Sequence, residues 1–490
     1  MKELKISVNK DMTEVEYGKV LADRIGKIKE ADTYEVLLSD EKHIFRIYQN
    51  SDGLWDVTDR GEGLQRPTYE FSRRTERLPE RYLVRVSAED NINDFLRMTD
   101  AGGRWSATEG RIGEKQGRSR RSRNIVLPKS YPDYFYDLVY NLRLQSGYED
   151  KSECHKVAKV ITGGNDGSSN IAISDPDVKD LITKLQIYAK MRLSSSYSVS
   201  YTDVTDAMLS QAKELLTKMA KCRKPETFNL SLEALMKVIP RKAEWRTEHH
   251  PERRVTVADM MAKDRDDMSM ILSQERDLFD VMESQALTTK SHGKTLLETF
   301  GFEMRPATQS ETEEVRKHLN PGLKGKLHRV FAVKNVATQE KYDKYVKDNG
   351  IQNEKLFWHG SKNENWLSIL WKGLLLNPDA VVTGKMFGNG IYFAPDADKS
   401  WGYTSSASAR WTNASAPLAY MAMFTTAYGK PYDVHSYTGN WYGFNEGRLK
   451  AEHPGCNCTH AHKGNMLRKD EVIFYNEAQV TIKYICEFYA

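Results

Sequence analysis

Cysteine is scarce in this chain of 490 residues, with five in all: Cys154, Cys222, Cys456, Cys458 and Cys486. So odd and sparse a set does not make the dense disulfide framework of a small secreted module. No apolar run approaches the roughly 18 to 20 residues needed to cross a bilayer. The opening Met1-Lys2-Glu3-Leu4-Lys5-Ile6 has no apolar core of a secretory signal. A large excess of one charge is lacking too. The net charge is +4, so any attraction to nucleic acid has to come from a local patch. The expectation is an intracellular, reduced protein with no membrane partner.

The chain is 39% hydrophobic and 29% charged, the balance of a globular protein rather than a disordered one. At about 150 residues per domain its length predicts three or four units. Residues 1–80 alternate short apolar runs, Tyr34 to Leu38 and His43 to Tyr48, with turn signals such as Ser51-Asp52-Gly53. That pattern predicts a small β-rich unit of unassigned role. A second β-rich unit over 81–160 starts at Tyr82-Leu83-Val84-Arg85-Val86. It passes through a glycine-punctuated stretch, Glu109-Gly110-Arg111-Ile112-Gly113, into a basic cluster of Arg111, Lys115, Arg118, Arg120, Arg121, Arg123 and Lys129. Such a run is either a solvated loop or a surface whose guanidinium groups contact phosphates.

Ile161 to Ser169 reads as a Gly/Ser linker. Asp175 then suits an N-cap with Pro176 at the first helical position. Val178, Leu181, Ile182, Leu185, Tyr188 and Ala189 follow at helical spacing, as do Met208, Ala212, Leu215, Leu216 and Met219. Similar stripes continue to Phe279, so 175–295 is predicted to be an all-α domain whose apolar faces are core. From Lys326 strand-like runs alternate with helices and glycine-rich turns, giving a mixed α/β domain over 296–490. The fold class expected is multidomain α+β.

Four elements of that last domain stand out. Leu356-Phe357-Trp358-His359-Gly360-Ser361 ends an apolar run, and Thr383 to Ala394 surrounds Tyr392 with glycines. Lys399-Ser400-Trp401-Gly402-Tyr403 follows, and Asp470-Glu471-Val472-Ile473-Phe474-Tyr475 stands near the C-terminus. Each element alone is weak. Their order and character together resemble the catalytic domain of poly(ADP-ribose) polymerases, from about Lys326 to the end. The resemblance implies a split β-sheet core, NAD as substrate, and a catalytic triad of His359, Tyr392 and Glu471. Breaking the nicotinamide–ribose bond develops positive charge on the sugar, which a carboxylate such as Glu471 stabilises most in the transition state. The same carboxylate can help deprotonate an incoming hydroxyl.

By the same resemblance, Gly360 holds the nicotinamide carboxamide through its backbone, Ser400 adds a hydroxyl, and Tyr403 stacks the ring with Tyr392 opposite. Ser361 and Lys399 complete the cofactor-binding set, and His359 bonds the adenosine ribose. One position departs from the family, since Leu375 stands where an arginine often meets adenosine. The helical stretch is similar to the family's regulatory domain, which restrains the NAD site. The segment around Glu109 to Gly113 is similar to a WGR module, with Glu109 where the naming Trp would be. In DNA-activated relatives that Trp contacts the nucleic-acid end; the nearby Arg111, Arg118, Arg120, Arg121 and Arg123 are the candidate DNA contacts.

The expected function is poly(ADP-ribose) synthesis on protein acceptors, itself included, with DNA ends as activator, in a nucleus or in bacterial cytoplasm and nucleoid. Mono-ADP-ribosylation and an inactive DNA-binding scaffold are the alternatives. A final cluster, Cys456, Cys458, His460 and His462, has the softness to hold zinc. Spacing at every second residue suits one strand face, however, and a single strand cannot wrap four ligands tetrahedrally around an ion. No metal is expected there.

Overall fold

The computed structural model of the chain describes residues 2–5, 16, 19–20, 23, 36–39, 44–49, 55–59, 77–100, 105–112, 135–153, 172–242, 256–289, 293–376, 386–405, 417–465 and 467–490. Arg118, Arg120, Arg121 and Arg123, and the linker around Gly163, lie outside these. The chain divides into two compact units. One comprises residues 1–161, 236–245 and 255–260, and the other 162–235, 246–254 and 261–490.

In the first unit, β1 (Lys2–Lys5), β2 (Val36–Ser39), β3 (Ile44–Gln49) and β4 (Trp55–Asp59) form a four-stranded sheet in chain order. A second sheet is built from β5 (Arg81–Ser87), β6 (Ile92–Asp100) and β7 (Trp105–Arg111), with α1 (Phe135–Gln145) and the short β8 (Glu149–Asp150) following in sequence. Its strand order is β7-β6-β5-β8, antiparallel throughout.

The pleat of β7 decides the fate of Glu109. Trp105, Ala107 and Glu109 alternate onto the buried face while Ser106 points out, as the period of two requires. Glu109 is therefore carried into the core, 7% exposed, beside Arg143 at 5%. The guanidinium meets it in a fork, Nε to Oε1 at 2.8 Å and Nη2 to Oε2 at 2.9 Å, and the Tyr148 hydroxyl donates to Oε1 at 2.9 Å. Nearby, Trp105 packs edge-on against Tyr136 of α1 at 5.4 Å. Arg111 is bonded within the unit, donating to the Asn91 carbonyl at 2.7 Å and to its side-chain oxygen at 3.1 Å.

The second unit begins with helices α2 (Pro176–Ser196), α3 (Asp206–Lys221), α4 (Pro225–Val238, whose last residues belong to the first unit) and α5 (Arg265–Thr288). Asp175 caps α2, its carboxylate accepting from Asp177 N and Val178 N at 3.0 Å each. The stripe Val178, Leu181, Ile182 and Leu185 is fully buried.

Next come α6 (Leu296–Phe300), β9 (Phe302–Pro306), α7 (Gln309–Lys317), α8 (Pro321–Lys324), β10 (Leu327–Asn335), α9 (Val336–Asp348), β11 (Lys355–Gly360) and α10 (Trp366–Lys372). The chain ends with β12 (Ile391–Phe393), α11 (Ala397–Trp401), β13 (Leu418–Thr426), β14 (Pro431–Val434), α12 (Glu446–Glu452), β15 (Cys458–Ala461), β16 (Glu471–Phe474) and β17 (Val480–Tyr489).

The strands form two sheets, ordered β11-β13-β17-β10-β9 and β12-β16-β15-β14. All pairs are antiparallel except β14 with β15. The sheets meet at a bridge between Trp358 and Ala394, whose backbone groups exchange bonds of 2.9 Å in both directions. One core is shared by α2, by Trp366, Leu367 and Leu370 of α10, and by Tyr420, Ala422 and Phe424 of β13. Glu487 on β17 is wholly buried yet paired. Arg329 Nε lies 2.9 Å from it and the Tyr420 hydroxyl donates at 2.9 Å. The same guanidinium reaches Asp177 and Asp180 of α2 at 3.0 and 2.5 Å.

Arg143→Met keeps the length of the side chain and leaves the Glu109 carboxylate buried without its partner. The expected loss is about 3–5 kcal/mol. It should be read as a lower urea midpoint at unchanged slope, with Glu109→Gln together with Arg143→Met recovering part of it.

Candidate active site

β11 ends at the sheet junction, and this places His359 and Gly360 at the mouth of a cleft of about 1290 Å³. The cleft also receives Tyr392 from β12, Ser400 from α11, Tyr403 beyond it, and Glu471 at the start of β16. These residues are scattered over more than a hundred positions of sequence. The antiparallel pairing Tyr392 with Ile473 and Phe393 with Val472 brings the last of them next to the others.

His359 is fixed by its surroundings. Its Nδ1 lies 3.0 Å from the Tyr392 carbonyl oxygen, and its ring packs against Phe393 and Phe424 at 5.6 and 6.1 Å. A neutral ring donating from Nδ1 presents Nε2 as its acceptor. Tyr392 is held at its hydroxyl, which accepts from Phe387 N at 2.8 Å and donates to the Gly388 carbonyl at 3.0 Å. Burial pushes that phenol well above its ordinary pKa, so it stays protonated at every physiological pH. Gly388 itself sits at φ +82 with the Phe444 carbonyl where a side chain would start, a conformation glycine takes at least cost.

The glycine after the histidine has a reason of its own. A Cβ on Gly360 would run into the backbone carbonyl of Ser400. The Ser400 hydroxyl donates to the Trp358 carbonyl at 3.0 Å, leaving its lone pairs to accept from an amide. The structure thus joins β11 and α11 by direct backbone contact, and a side chain at position 360 would drive them apart. Ser361 Oγ accepts from Asn365 at 3.1 Å. Tyr403, 61% exposed, lines the cleft as an open aromatic face.

Glu471 is buried in the cleft wall. Its Oε1 lies 2.9 Å from Lys399 Nζ, which also donates to the Lys469 carbonyl at 3.0 Å. Lys399, placed by the sequence in the cofactor-binding set, here clamps the carboxylate to the backbone two residues before it. A carboxylate so held can stabilise cationic charge on a sugar or take a proton from a hydroxyl.

The resemblance set the helical stretch at this site, but the residues that form the wall were not legible in the sequence. Lys213 and Thr217 of α3, and Arg276, Asp277, Phe279, Asp280 and Glu283 of α5, line the same cleft. Lys372 at the end of α10 bonds Asp280 at 2.8 Å and also pairs with Glu283. Burial pulls that ammonium's pKa down, but the two carboxylates outweigh it and hold it above its ordinary value. Leu375, where the resemblance leads one to expect an arginine, also lines the cleft and is exposed.

Gly360→Ala should displace α11 from β11, because neither partner in the contact is a flexible side-chain end. Steady-state transfer from NAD+ is expected to fall by about a hundredfold, the scale of rate loss that follows a displacement of about 1 Å. A melting temperature near that of the parent would locate the loss in the cleft.

Comparison with known proteins bears on the same segment. A model of the poly(ADP-ribose) polymerase catalytic domain matches residues 308–436, a range that holds His359, Tyr392, Ser400 and Tyr403 and stops short of Glu471. The putative poly [ADP-ribose] polymerase-like protein 100L of Invertebrate iridescent virus 6 is 30% identical over 185 residues, 36% of this chain and 94% of the viral one. Poly [ADP-ribose] polymerase 2 of Homo sapiens is 50% identical over 54 residues, 11% of this chain and 9% of the human protein. Poly [ADP-ribose] polymerase 1 of Oryza sativa subsp. japonica is 34% identical over 113 residues, and the match spans 11% of its length. With the viral relative matched almost end to end, and the domain model lying over the strand, helix and loop that build the cleft, the chain belongs to the poly(ADP-ribose) polymerase family and carries its NAD+-using ADP-ribosyltransferase domain.

Proposed function

We propose that the chain is a poly(ADP-ribose) polymerase that cleaves NAD+, releases nicotinamide and builds polymer on protein acceptors, itself included. The observation that carries this reading is Glu471, held by Lys399 in the same cleft as His359 and Tyr392. Nicotinamide would lie on Gly360 between Tyr403 and Tyr392, with Ser400 accepting from its amide, and His359 would bond the adenosine ribose. Glu471 would then face the ribose carbon as positive charge develops, and afterwards orient a hydroxyl of the growing chain for attack. A glutamate here favours elongation over single-unit transfer.

The helices α3 and α5 would act as a restraint. Residues of both line the cleft, Lys213 and Thr217 from α3 and Arg276, Phe279 and Asp280 from α5, and Lys372 ties α5 to the end of α10. DNA ends are the proposed activator, through the basic run beyond Arg111, with the nucleus or the bacterial nucleoid as the place of action. Glu109 favours a contact of a different kind from the aromatic one of the WGR module, because its side chain is turned inward onto Arg143.

Three outcomes test this reading. Automodification with labelled NAD+ should give a high-molecular-weight smear that blunt DNA ends intensify. A single sharp band would mean mono-transfer, and no label in either condition would favour a scaffold. Glu471→Gln should leave NAD+ binding nearly intact and cut elongation far more than nicotinamide release. Equal product length at comparable turnover would remove the role given to Glu471. Asp280→Asn with Glu283→Gln loosens the tie from α5 to Lys372, and basal transfer without DNA should rise several-fold.

A further inference from the structure

Beside the cleft, the edge of the second sheet gathers imidazoles and carboxylates that the transferase reaction does not use. His460 and His462 are two residues apart, at and just past the end of β15, and their rings stack at 4.2 Å and 14°. Because β14 runs parallel to β15 with Asp433 opposite His460, the neighbouring strand adds a carboxylate to the pair. Among the described residues, one ligand atom from each of Asp433, His460 and His462 lies within 4.8 Å of the other two. Asp433 Oδ1 is 2.7 Å from His462 Nε2.

We infer that Asp433, His460 and His462 form a binding site for a divalent transition metal of the zinc class. Two imidazoles and one carboxylate are a set that Zn2+ takes, at about 2.0–2.2 Å from each donor atom. Asp433 is exposed, so its side chain can turn to meet an ion. The objection that one strand cannot wrap an ion does not apply, since the third ligand comes from another strand.

Supporting groups surround the three ligands. Asp470 accepts at 3.0 Å from His460 Nε2, a bond the metal would replace, and lies 3.5 Å from His462 Nδ1, while its other oxygen accepts from Lys463 N at 2.8 Å. The Tyr428 hydroxyl is 2.8 Å from His460 Nδ1. When the metal takes Nε2, the ring proton moves to Nδ1 and the Tyr428 oxygen accepts it, the outer support that ligating histidines usually have. The cysteines face other tasks. Cys458 Sγ donates to the Tyr428 carbonyl, and Cys456 Sγ donates to the Pro431 carbonyl.

The location gives the site a mechanical reach. Ala461 pairs with Glu471 and His460 with Val472, so an ion that ties β14 to β15 braces the strand on which Glu471 stands.

The test is a titration of the chelator-treated full chain with Zn2+ by calorimetry, with Co2+ as a coloured substitute. One equivalent should bind. Asp433→Asn and His462→Gln should each weaken binding at least tenfold, and the Co2+ complex should show visible bands without the near-ultraviolet absorption of a thiolate ligand. Asp433→Asn changes only an exposed side chain, so a folding defect is not a competing account of its effect. Absence of stoichiometric binding, equal affinity in both variants, or a thiolate band would each overturn the site.

Discussion

Trp358 is the residue on which the catalytic unit turns. Its indole is fully buried and donates to the His318 carbonyl at 3.0 Å, so the strand that bears it is pinned from behind. Its backbone exchanges both hydrogen bonds with Ala394, and its carbonyl also accepts from Ser400. The two sheets and α11 thus converge on one peptide unit, and the next two residues are His359 and Gly360. Orienting groups to within a fraction of an ångström requires that their supports be rigid. Here the support is the seam between two sheets rather than a loop.

That dependence explains what could be read in advance and what could not. Asp175 before Pro176 announced a capped helix, and the stripe Val178, Leu181, Ile182, Leu185 announced its buried face, because both signals are local. His359-Gly360, Tyr392 and Glu471 were legible as a set because their flanking strands and glycines have a characteristic order. The partners of these residues were not legible. Lys399 could be seen near the site but not as the clamp on Glu471, since the pairing spans seventy-two positions. Gly360 could be read as a backbone contact for a ligand, but not as the point where the Ser400 carbonyl fills the place of a Cβ. The acids of α5 in the cleft wall carry no sequence mark that separates them from a solvated helix face. Asp433 meets His460 only because two strands joined through α12 run parallel, a topology no periodicity reveals.

The core of this unit contains charge, and the charge is organised. Glu487 would be untenable alone in a fully buried position. Arg329 answers it and at the same time reaches two aspartates at the start of α2. One guanidinium thereby fastens the first helix to the central strands, in parallel with the apolar stripe beneath it. Arginine suits this place because its planar fork can serve several carboxylates in fixed directions.

The pairing of Glu109 with Arg143 has a consequence for descent. Loss of Arg143 alone leaves the Glu109 carboxylate buried with the Tyr148 hydroxyl but no cation, so single substitutions away from the pair pass through a weakened intermediate. Position 109 is thus coupled to a partner on a separate helix. A substitution there has to be matched at position 143, and the pair limits the order in which this sheet can accept change.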